Sequence, residues 1–153
     1  MIGLFLKKEV PPFLTLEETL YKIKEQEGII YIPHPFDRLR RAVINYKSLL
    51  SNICYVDIIE IFNSRTVFRE DNLKAYNFAV QHNKLSGAGS DAHTRYEIGN
   101  VIIEMEDFKD KDDFLAKLKH GTIKSKYSSI FVHIITKIVK RIRKGEKVAN
   151  PYR

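Results

Sequence analysis

Short apolar runs alternate with helix-length segments along most of this chain, and that alternation limits the folds open to it. The strand-like runs cover residues 29–32, 55–62, 85–88 and 101–103, and the first is made of β-branched and aromatic residues. Helical periodicity covers residues 16–27, 69–82 and 113–119. Residues 45–52 fit either a short helix or an irregular crossover. Because crossovers of this length join parallel strands, the order predicts an α/β fold with a mainly parallel sheet or part of a β/α barrel.

Two of the predicted helices carry further signals. Thr15 and Glu18 match a capping box at the start of the first helix, and Gly28 stands where that helix would stop. In the helix over 69–82, one apolar face consists of four residues, Leu73, Tyr76, Ala79 and Val80.

Size and composition indicate a folded, non-membrane protein. The chain has 153 residues, of which 44% are hydrophobic, so it is one domain or a piece of one with enough apolar side chains for a core. Its apolar runs are much shorter than the ~18 residues that span a bilayer, and its N-terminus lacks the order of a signal peptide, so we predict a cytoplasmic location. The single cysteine, Cys54, cannot form an internal disulfide and is predicted to be a buried thiol.

The positive charge is concentrated at the C-terminus. Seven basic residues against one acidic residue in 137–153 account for +6 of the formal net charge of +7. Apolar residues recur at helical spacing from Ile130 to Ile142, which predicts a basic amphipathic helix and tail over 129–153. Such a helix either packs on the body of the protein or binds phosphate backbones or another anionic surface.

Polar side chains follow the predicted strands where each one ends. His34 follows the first strand, Glu60 and Asn63 end the second, and Asp91 and His93 follow the third. In a parallel α/β fold these strand ends meet on one rim, where ligand sites lie. Imidazole nitrogen and carboxylate oxygen are good ligands for Zn²⁺, Mn²⁺ or Fe²⁺, and Asp-x-His spacing aims both side chains to one side.

Three motifs carry a family resemblance: YIPHPFDRLRR (31–41), VDIIEIFNSR (56–65) and GAGSDAHTRYEIG (87–99). In this order they resemble the later half of a PHP-domain metal-dependent phosphoesterase with a PHP-associated C-terminal region. The resemblance implies the C-terminal part of a distorted (β/α)7 barrel over 1–128, with mainly parallel strands and divalent metal ions at the strand ends. By this similarity His34, Asp91 and His93 are metal ligands, whereas the roles of Glu60 and Asn63 stay open between ligand and loop hydrogen bonding.

The sequence also departs from this family pattern. PHP domains begin with a His-x-His motif and carry further His and Glu ligands, and nothing of that kind precedes the matching region here. We therefore expect a fragment with an incomplete site, which is a phosphoesterase if the N-terminal half is present.

The resemblance implies a phosphate-ester substrate, and the basic tail makes a nucleotide or nucleic acid a candidate. Metal ions would activate water, and Arg38, Arg40 or Arg65, just past strand ends, could bind phosphate, although a surface ion pair explains any one of them at least as well. The alternatives are an inactive PHP remnant, or a binding module that uses its basic helix. Because a half barrel exposes strand edges, we also predict self-association through residues 29–32 and 55–62.

Overall fold

Two β-sheets organise the part of the chain that the structure describes. The structure is a computed structural model, and it describes residues 1–41 and 43–126. The larger sheet has four strands in the order β1-β2-β3-β4 and the smaller pairs β5 with β6. The strands are β1 (Ile2–Leu4), β2 (Ile29–Ile32), β3 (Ile58–Asn63), β4 (Leu85–Gly89), β5 (Val101–Glu104) and β6 (Thr122–Ser125). The helices are α1 (Leu16–Lys24), α2 (Tyr46–Ser51), α3 (Arg69–Gln81) and α4 (Lys111–Leu118).

The pairing of the strands supports the predicted α/β fold with a mainly parallel sheet. β3 lies parallel to both β2 and β4, so the core of the larger sheet is parallel as expected. β1 is antiparallel to β2, and β5 is antiparallel to β6. The described strands form an open sheet, so the (β/α)7 barrel remains a prediction.

Successive side chains of a strand point to opposite faces of the sheet, and apolar side chains are buried on both faces of the larger sheet. Ile30, Ile32 and Ile59 pack with buried residues of α1, α2 and α3 on one face. Ile29 and Ile58 point to the other face, where Leu118 of α4 covers them together with partly buried residues of α4 and β5. Because both faces are covered, β2 and β3 read as almost continuous apolar runs.

Helix α1 begins as the sequence predicts and ends earlier. The Thr15 side chain accepts a hydrogen bond from the Glu18 N–H, and the Glu18 carboxylate accepts one from the Thr15 N–H. The helix ends at Lys24, and the chain turns through Glu27, at φ 60°, into β2. At Gly28 an added Cβ would lie 2.9 Å from the Ile23 carbonyl oxygen, so this close turn requires glycine.

The predicted apolar face of α3 is wrong. Leu73, Tyr76 and Val80 are exposed, and Ala79 is the one member of that face that is buried. The helix instead packs through Ala75 and Phe78, together with two polar residues of its first turn, Asp71 and Asn72. These two polar side chains hydrogen-bond to the loops at the strand ends, which fixes the rotation of the helix about its axis.

The start of the second predicted strand and the burial of Cys54 are also wrong. Ile53–Tyr55 forms a 3₁₀ turn, and β3 begins at Ile58. Cys54 lies in this turn and is exposed. Asp57, between the turn and β3, accepts a hydrogen bond from the Ile30 N–H at 2.7 Å, so the turn is tied to the neighbouring strand.

The strand edges that we expected to be exposed lie inside the sheet. β2 and β3 each have a neighbour on both sides, and their apolar residues are buried. Among the described strands, β1 forms the edge of the larger sheet on the side of β2, and its Ile2 is 45% exposed. No helix within the described residues is both long and apolar enough to span a membrane. The predicted basic helix and tail over 129–153 lie outside the described residues.

Candidate metal centre

A cavity of about 420 Å³ opens where β2, β3 and β4 end. Its lining includes side chains from the ends of all three parallel strands and from β1: Ile2, Leu4, Tyr31, Pro33, His34, Glu60, Asn63, Ala88, Gly89 and Asp91. The predicted meeting of strand-end polar residues on one rim is therefore present for four of the five, because His34, Glu60, Asn63 and Asp91 share this cavity. Position at the carboxyl ends of parallel strands is typical of ligand sites.

His34 presents an unsatisfied nitrogen inside this region. Its Nδ1 atom is buried and has no hydrogen-bond partner. Burial, and then the positive charge of Arg40, lowers the pKa of His34, which favours the neutral imidazole that binds metals. The residue also takes a left-handed backbone conformation, with φ 34°. A buried, neutral and unpaired ring nitrogen beside a cavity is suited to bind a cation.

Glu60 holds the backbone of His34 in place. Its carboxylate accepts hydrogen bonds from the His34 N–H at 2.6 Å, from Asn63 Nδ2 at 3.0 Å and from the Tyr31 hydroxyl at 3.1 Å. Burial raises the pKa of Glu60 although these donors oppose the rise. An added Cβ on Gly89 would lie 2.2 Å from Glu60 Oε1, so the glycine makes room for the carboxylate. Both oxygens thus accept hydrogen bonds from protein donors, and Oε2 holds the His34 backbone.

Asn63, the last residue of β3, connects that strand to its surroundings. Its backbone N–H donates to Asn72 Oδ1 of α3, its carbonyl oxygen accepts from Asn72 Nδ2, and its side-chain Oδ1 accepts from the Arg65 N–H at 2.9 Å. Its Nδ2 donates to Glu60, so the residue joins β3, α3 and the loop between them. Loop hydrogen bonding, the open alternative from the sequence, therefore accounts for the contacts of this residue.

Asp91 lies in the cavity wall and is paired with a cation of the protein itself. Arg40 Nη2 forms an ion pair with Asp91 Oδ2, while Arg40 Nε donates to Asp37 Oδ2 at 3.1 Å. Asp91 has a left-handed backbone, at φ 48°. A left-handed conformation outside glycine costs energy and is frequent at functional sites. Asp91 and His34 share this property, at the two points where the chain leaves β2 and β4.

His93 adjoins Asp91 but does not line the cavity. Its Nδ1 lies 2.8 Å from the Asp91 carbonyl oxygen and 3.8 Å from Asp91 Oδ1. In the shorter contact the ring Nδ1 is the donor, because a carbonyl oxygen can only accept. His93 can bring an imidazole to the edge of the site opened by Asp91.

The backbone between Asp91 and Glu97 is held by a buried carboxylate. Glu97, with 1% of its surface exposed, accepts hydrogen bonds from the N–H groups of His93 and Thr94, both at 3.0 Å. It also pairs with Arg65, whose Nη1 lies 2.5 Å from Glu97 Oε1. This contact network fixes the turn that carries Asp91 and His93.

The side chains of His34, Asp91 and His93 offer the kinds of donor atom that a divalent cation binds. They do not form a complete coordination site on their own. His34 Nδ1, the Asp91 carboxylate and His93 Nε2 are the nitrogen and oxygen donors that Zn²⁺, Mn²⁺ and Fe²⁺ accept. Within 1–41 and 43–126, no three His, Cys, Asp or Glu side chains stand together in an arrangement that could hold an ion. The structure places His34 and Asp91 in one cavity and His93 beside Asp91, and the assignment of all three as ligands stays a prediction.

Of the arginines predicted to bind substrate, Arg38 and Arg65 are engaged with carboxylates, as is Arg40. Arg38 forms a bidentate pair with Asp71, with Nη2 2.6 Å from Asp71 Oδ1, and lies over the Phe68 ring. Arg65 is 7% exposed and paired with Glu97. Neither lines the cavity. Their role in phosphate binding stays a prediction, and their visible contacts are structural.

Sequence reasoning missed Glu97 and Asp37 as parts of this site. Glu97 follows Thr94 by three residues, and this pair forms a capping box in the structure. That spacing was a signal available in the sequence. Asp37, which is buried, pairs with Arg40 three residues along the chain.

Comparison with known proteins places the chain in a family. An uncharacterized protein of Methanocaldococcus jannaschii is 34% identical to it over 176 aligned positions, which cover 94% of this chain and 73% of that protein. Residues 69–123 match the family model described as PHP-associated. The chain belongs to the PHP-associated family. The predicted relation to the C-terminal region of PHP-domain proteins is confirmed.

Two further similarities cover smaller shares of the proteins concerned. A second uncharacterized protein of M. jannaschii is 39% identical over 64 residues, which are 42% of this chain and 35% of that protein. A Bifidobacterium adolescentis chain proposed to be a metal-dependent phosphoesterase superposes with a TM-score of 0.47 at 22% identity, over 56% of this chain and 31% of that one.

Proposed function

We propose that this PHP-associated chain provides one side of a metal-dependent phosphoesterase site, with His34, Asp91 and His93 as ligands of a divalent cation such as Mn²⁺, Zn²⁺ or Fe²⁺. The observation that carries the proposal is the buried, unpaired Nδ1 of His34 beside the cavity that Asp91 also lines. The site needs further ligands, because the described residues contain no three-ligand group. Those ligands would come from the N-terminal half of a PHP domain, of which we propose this chain to be a fragment.

The residues of the chain would act by holding donors in position. A bound divalent cation supplies an activated water and neutralises charge on phosphoryl oxygens. Glu60 holds the His34 backbone, and burial keeps the imidazole neutral and able to bind. Glu97 fixes the turn that carries His93. For Arg38 or Arg65 to bind phosphate, each guanidinium would have to extend from, or leave, the carboxylate that now holds it.

Hydrolysis of a generic phosphate ester such as p-nitrophenyl phosphate in the presence of Mn²⁺ tests the proposal. We expect slow, metal-dependent turnover by the chain, and faster turnover when it is joined to a PHP N-terminal half that carries the His-x-His motif. His93→Ala and Asp91→Asn should abolish the metal-dependent rate. His120→Ala is the matched control, because His120 is exposed and outside the site, and it should leave the rate unchanged.

The result against the proposal would be turnover in the joined protein that survives Asp91→Asn and His93→Ala together. Such a result would assign the activity to other groups. Equal loss in His120→Ala would likewise show that the effect of the histidine substitutions is not specific to the site.

An inactive PHP remnant is the second candidate, and the shortage of ligands among the described residues favours it. A remnant would show no turnover in either assay and weak metal binding or none. The binding-module alternative depends on residues 129–153, which lie outside the described part of the chain. Binding to nucleic acid that falls steeply with salt and disappears on deletion of 137–153 would support that alternative.

A further inference from the structure

The cavity at the strand ends is lined by two kinds of side chain. Its ionisable side chains include His34 and Asp91, whereas its apolar and aromatic side chains include Ile2, Leu4 and Tyr31. A metal ion and a phosphoryl group would account for the first kind only. At about 420 Å³ the cavity also has the size of sites that bind small organic molecules, and such sites are mostly apolar with a few polar groups.

The apolar part of the lining continues the core on the second face of the larger sheet. In the antiparallel pair of β1 and β2, Ile2 lies opposite Tyr31 and Leu4 lies opposite Ile29. Because alternate residues of a strand share a face, these four side chains project to the same side. Ile29 belongs to the core cluster on that side, against which Leu4 and Tyr31 pack. The apolar wall is therefore the continuation of this core toward the ends of the strands.

A glycine of β4 leaves the room for the Tyr31 ring. A Cβ added to Gly87 would lie 2.3 Å from Tyr31 Cε2, so the ring lies against the backbone of β4. The Tyr31 hydroxyl donates to Glu60 Oε1 at 3.1 Å, which fixes the far end of the side chain. Tyr31 thus gives the cavity wall an aromatic ring held in one position. Such a ring can stack on, or meet edge to face, the flat ring of a ligand.

We propose that the cavity binds the organic group of a phosphate-ester substrate, and that this group is a flat aromatic ring in contact with Tyr31. The inference rests on the proposed function for the phosphate, whereas binding of the ring requires only the cavity. A sugar or another hydroxyl-rich group would lose water against Ile2, Leu4 and Ala88, whose side chains form no hydrogen bonds. The proposed substrate class is therefore the phosphate esters of alcohols that carry an aromatic ring.

Metal-free binding of two matched alcohols tests this inference, with EDTA present and binding followed by chemical-shift changes in nuclear magnetic resonance. Benzyl alcohol and cyclohexylmethanol carry the same hydroxymethyl group on rings of equal size, one aromatic and the other saturated. The wild-type protein should bind benzyl alcohol at least about threefold more tightly, because only the flat ring gains an aromatic contact. Glycerol, which is hydroxyl-rich, should not bind.

Substitution of the ring in the wall assigns the preference to the cavity. Tyr31→Leu removes the aromatic contact and should make the affinities for the two alcohols equal. The matched control is Tyr96→Leu, the same substitution at a tyrosine that is 76% exposed and outside the cavity lining, and it should leave the preference unchanged. A preference that survives Tyr31→Leu, or that Tyr96→Leu removes equally, overturns the inference.

The unmodified protein provides a second test in case Tyr31→Leu does not fold. Magnetisation should transfer from the ring protons of bound benzyl alcohol to the Tyr31 ring and the Ile2 methyl groups. The inference is overturned by transfer only to residues outside the cavity, by equal binding of the two alcohols, or by tighter binding of glycerol. It is also overturned if neither alcohol binds at the highest concentration that leaves the protein folded.

Failure of this inference and failure of the proposed function are distinguishable. Metal-dependent hydrolysis of benzyl phosphate and cyclohexylmethyl phosphate with equal kcat/KM would retain the proposed function and overturn the preference for an aromatic ring. An aromatic preference in EDTA, without any hydrolysis by the chain joined to a PHP N-terminal half, would retain the ring site and overturn its assignment to a phosphate ester.

Discussion

Glu60 and Glu97 both place a carboxylate against the backbone N–H of a predicted metal ligand. Glu60 accepts from His34 and Glu97 from His93. The sequence motifs identified the strand-end residues His34, Asp91 and His93 but could not show these supports. A hydrogen bond from a buried carboxylate to a backbone group depends on how separate loops meet, and no local spacing encodes that for Glu60.

Glu97→Ala should be strongly destabilising and should loosen the turn that carries His93. It removes the partner of the buried Arg65, and breaking a buried ion pair typically costs about 3–5 kcal/mol. Urea unfolding measures this cost, and Mn²⁺ affinity in the folded variant should fall because His93 is no longer fixed. Glu9→Ala, at an exposed position, should change neither quantity. A cost for Glu97→Ala below about 1 kcal/mol would show that the pair contributes little.

Asp71 gives the fold a defined sensitivity to acid. Burial acts to raise the pKa of Asp71, but the hydrogen bonds and charge of Arg38 outweigh it and hold the pKa below its usual value of 3.8. Because the folded pKa is depressed, the stabilisation is present above the unfolded pKa of about 3.9 and is lost as pH falls through the folded value. The free energy of unfolding should therefore decline below about pH 5, and Asp71→Asn should flatten that decline. An unchanged slope in Asp71→Asn would contradict this source of acid sensitivity.

At the scale of elements, local sequence patterns predicted where helices begin better than which face of a helix packs against the core. The capping box at Thr15 placed the start of α1 correctly because its two hydrogen bonds lie within one turn. The face of α3 was wrong because polar contacts of Asp71 and Asn72 with distant loops rotate the helix, and apolar periodicity does not record such contacts. The antiparallel pairing of β5 with β6 was also missed, since it depends on a short final strand with little apolar character.

The orientation of α3 can be tested with two truncations. Phe78→Ala should cost about 3–5 kcal/mol of unfolding free energy, because Phe78 is buried in the main core cluster. Leu73→Ala should cost no more than about 0.5 kcal/mol, because Leu73 is 58% exposed. Urea unfolding of both variants compares them directly. The reverse order of costs would restore the face that the sequence pattern favoured.

At the scale of the whole molecule, the sequence predicted the parallel strand pairing and the shared rim of strand ends. The structure adds the segments that cover the second face of the sheet. The alternation of strands and crossovers implied parallel pairing, and that pairing brings His34, Glu60 and Asp91 into one cavity. The sequence pattern did not indicate that α4 and β5 cover the second face of the sheet, because those segments are short. This cover explains why β2 and β3 are buried rather than exposed.

Self-association remains a prediction, and the structure changes the strand through which it would occur. Within the described part of the chain β1 pairs with β2 alone, and Ile2 on it is 45% exposed, so its outer edge can pair with another chain. We expect an average mass that rises with concentration in sedimentation experiments and an Ile2→Lys variant that stays monomeric. Association that is unchanged in Ile2→Lys would place the contact elsewhere, and a monomer at all concentrations would contradict the prediction.

The most direct test of the metal site is anomalous scattering from crystals of the chain grown with Mn²⁺. We expect a manganese peak bounded by His34, Asp91 and His93. A manganese peak remote from these residues, or crystals saturated with Mn²⁺ that show no peak beside them, would contradict the proposed site.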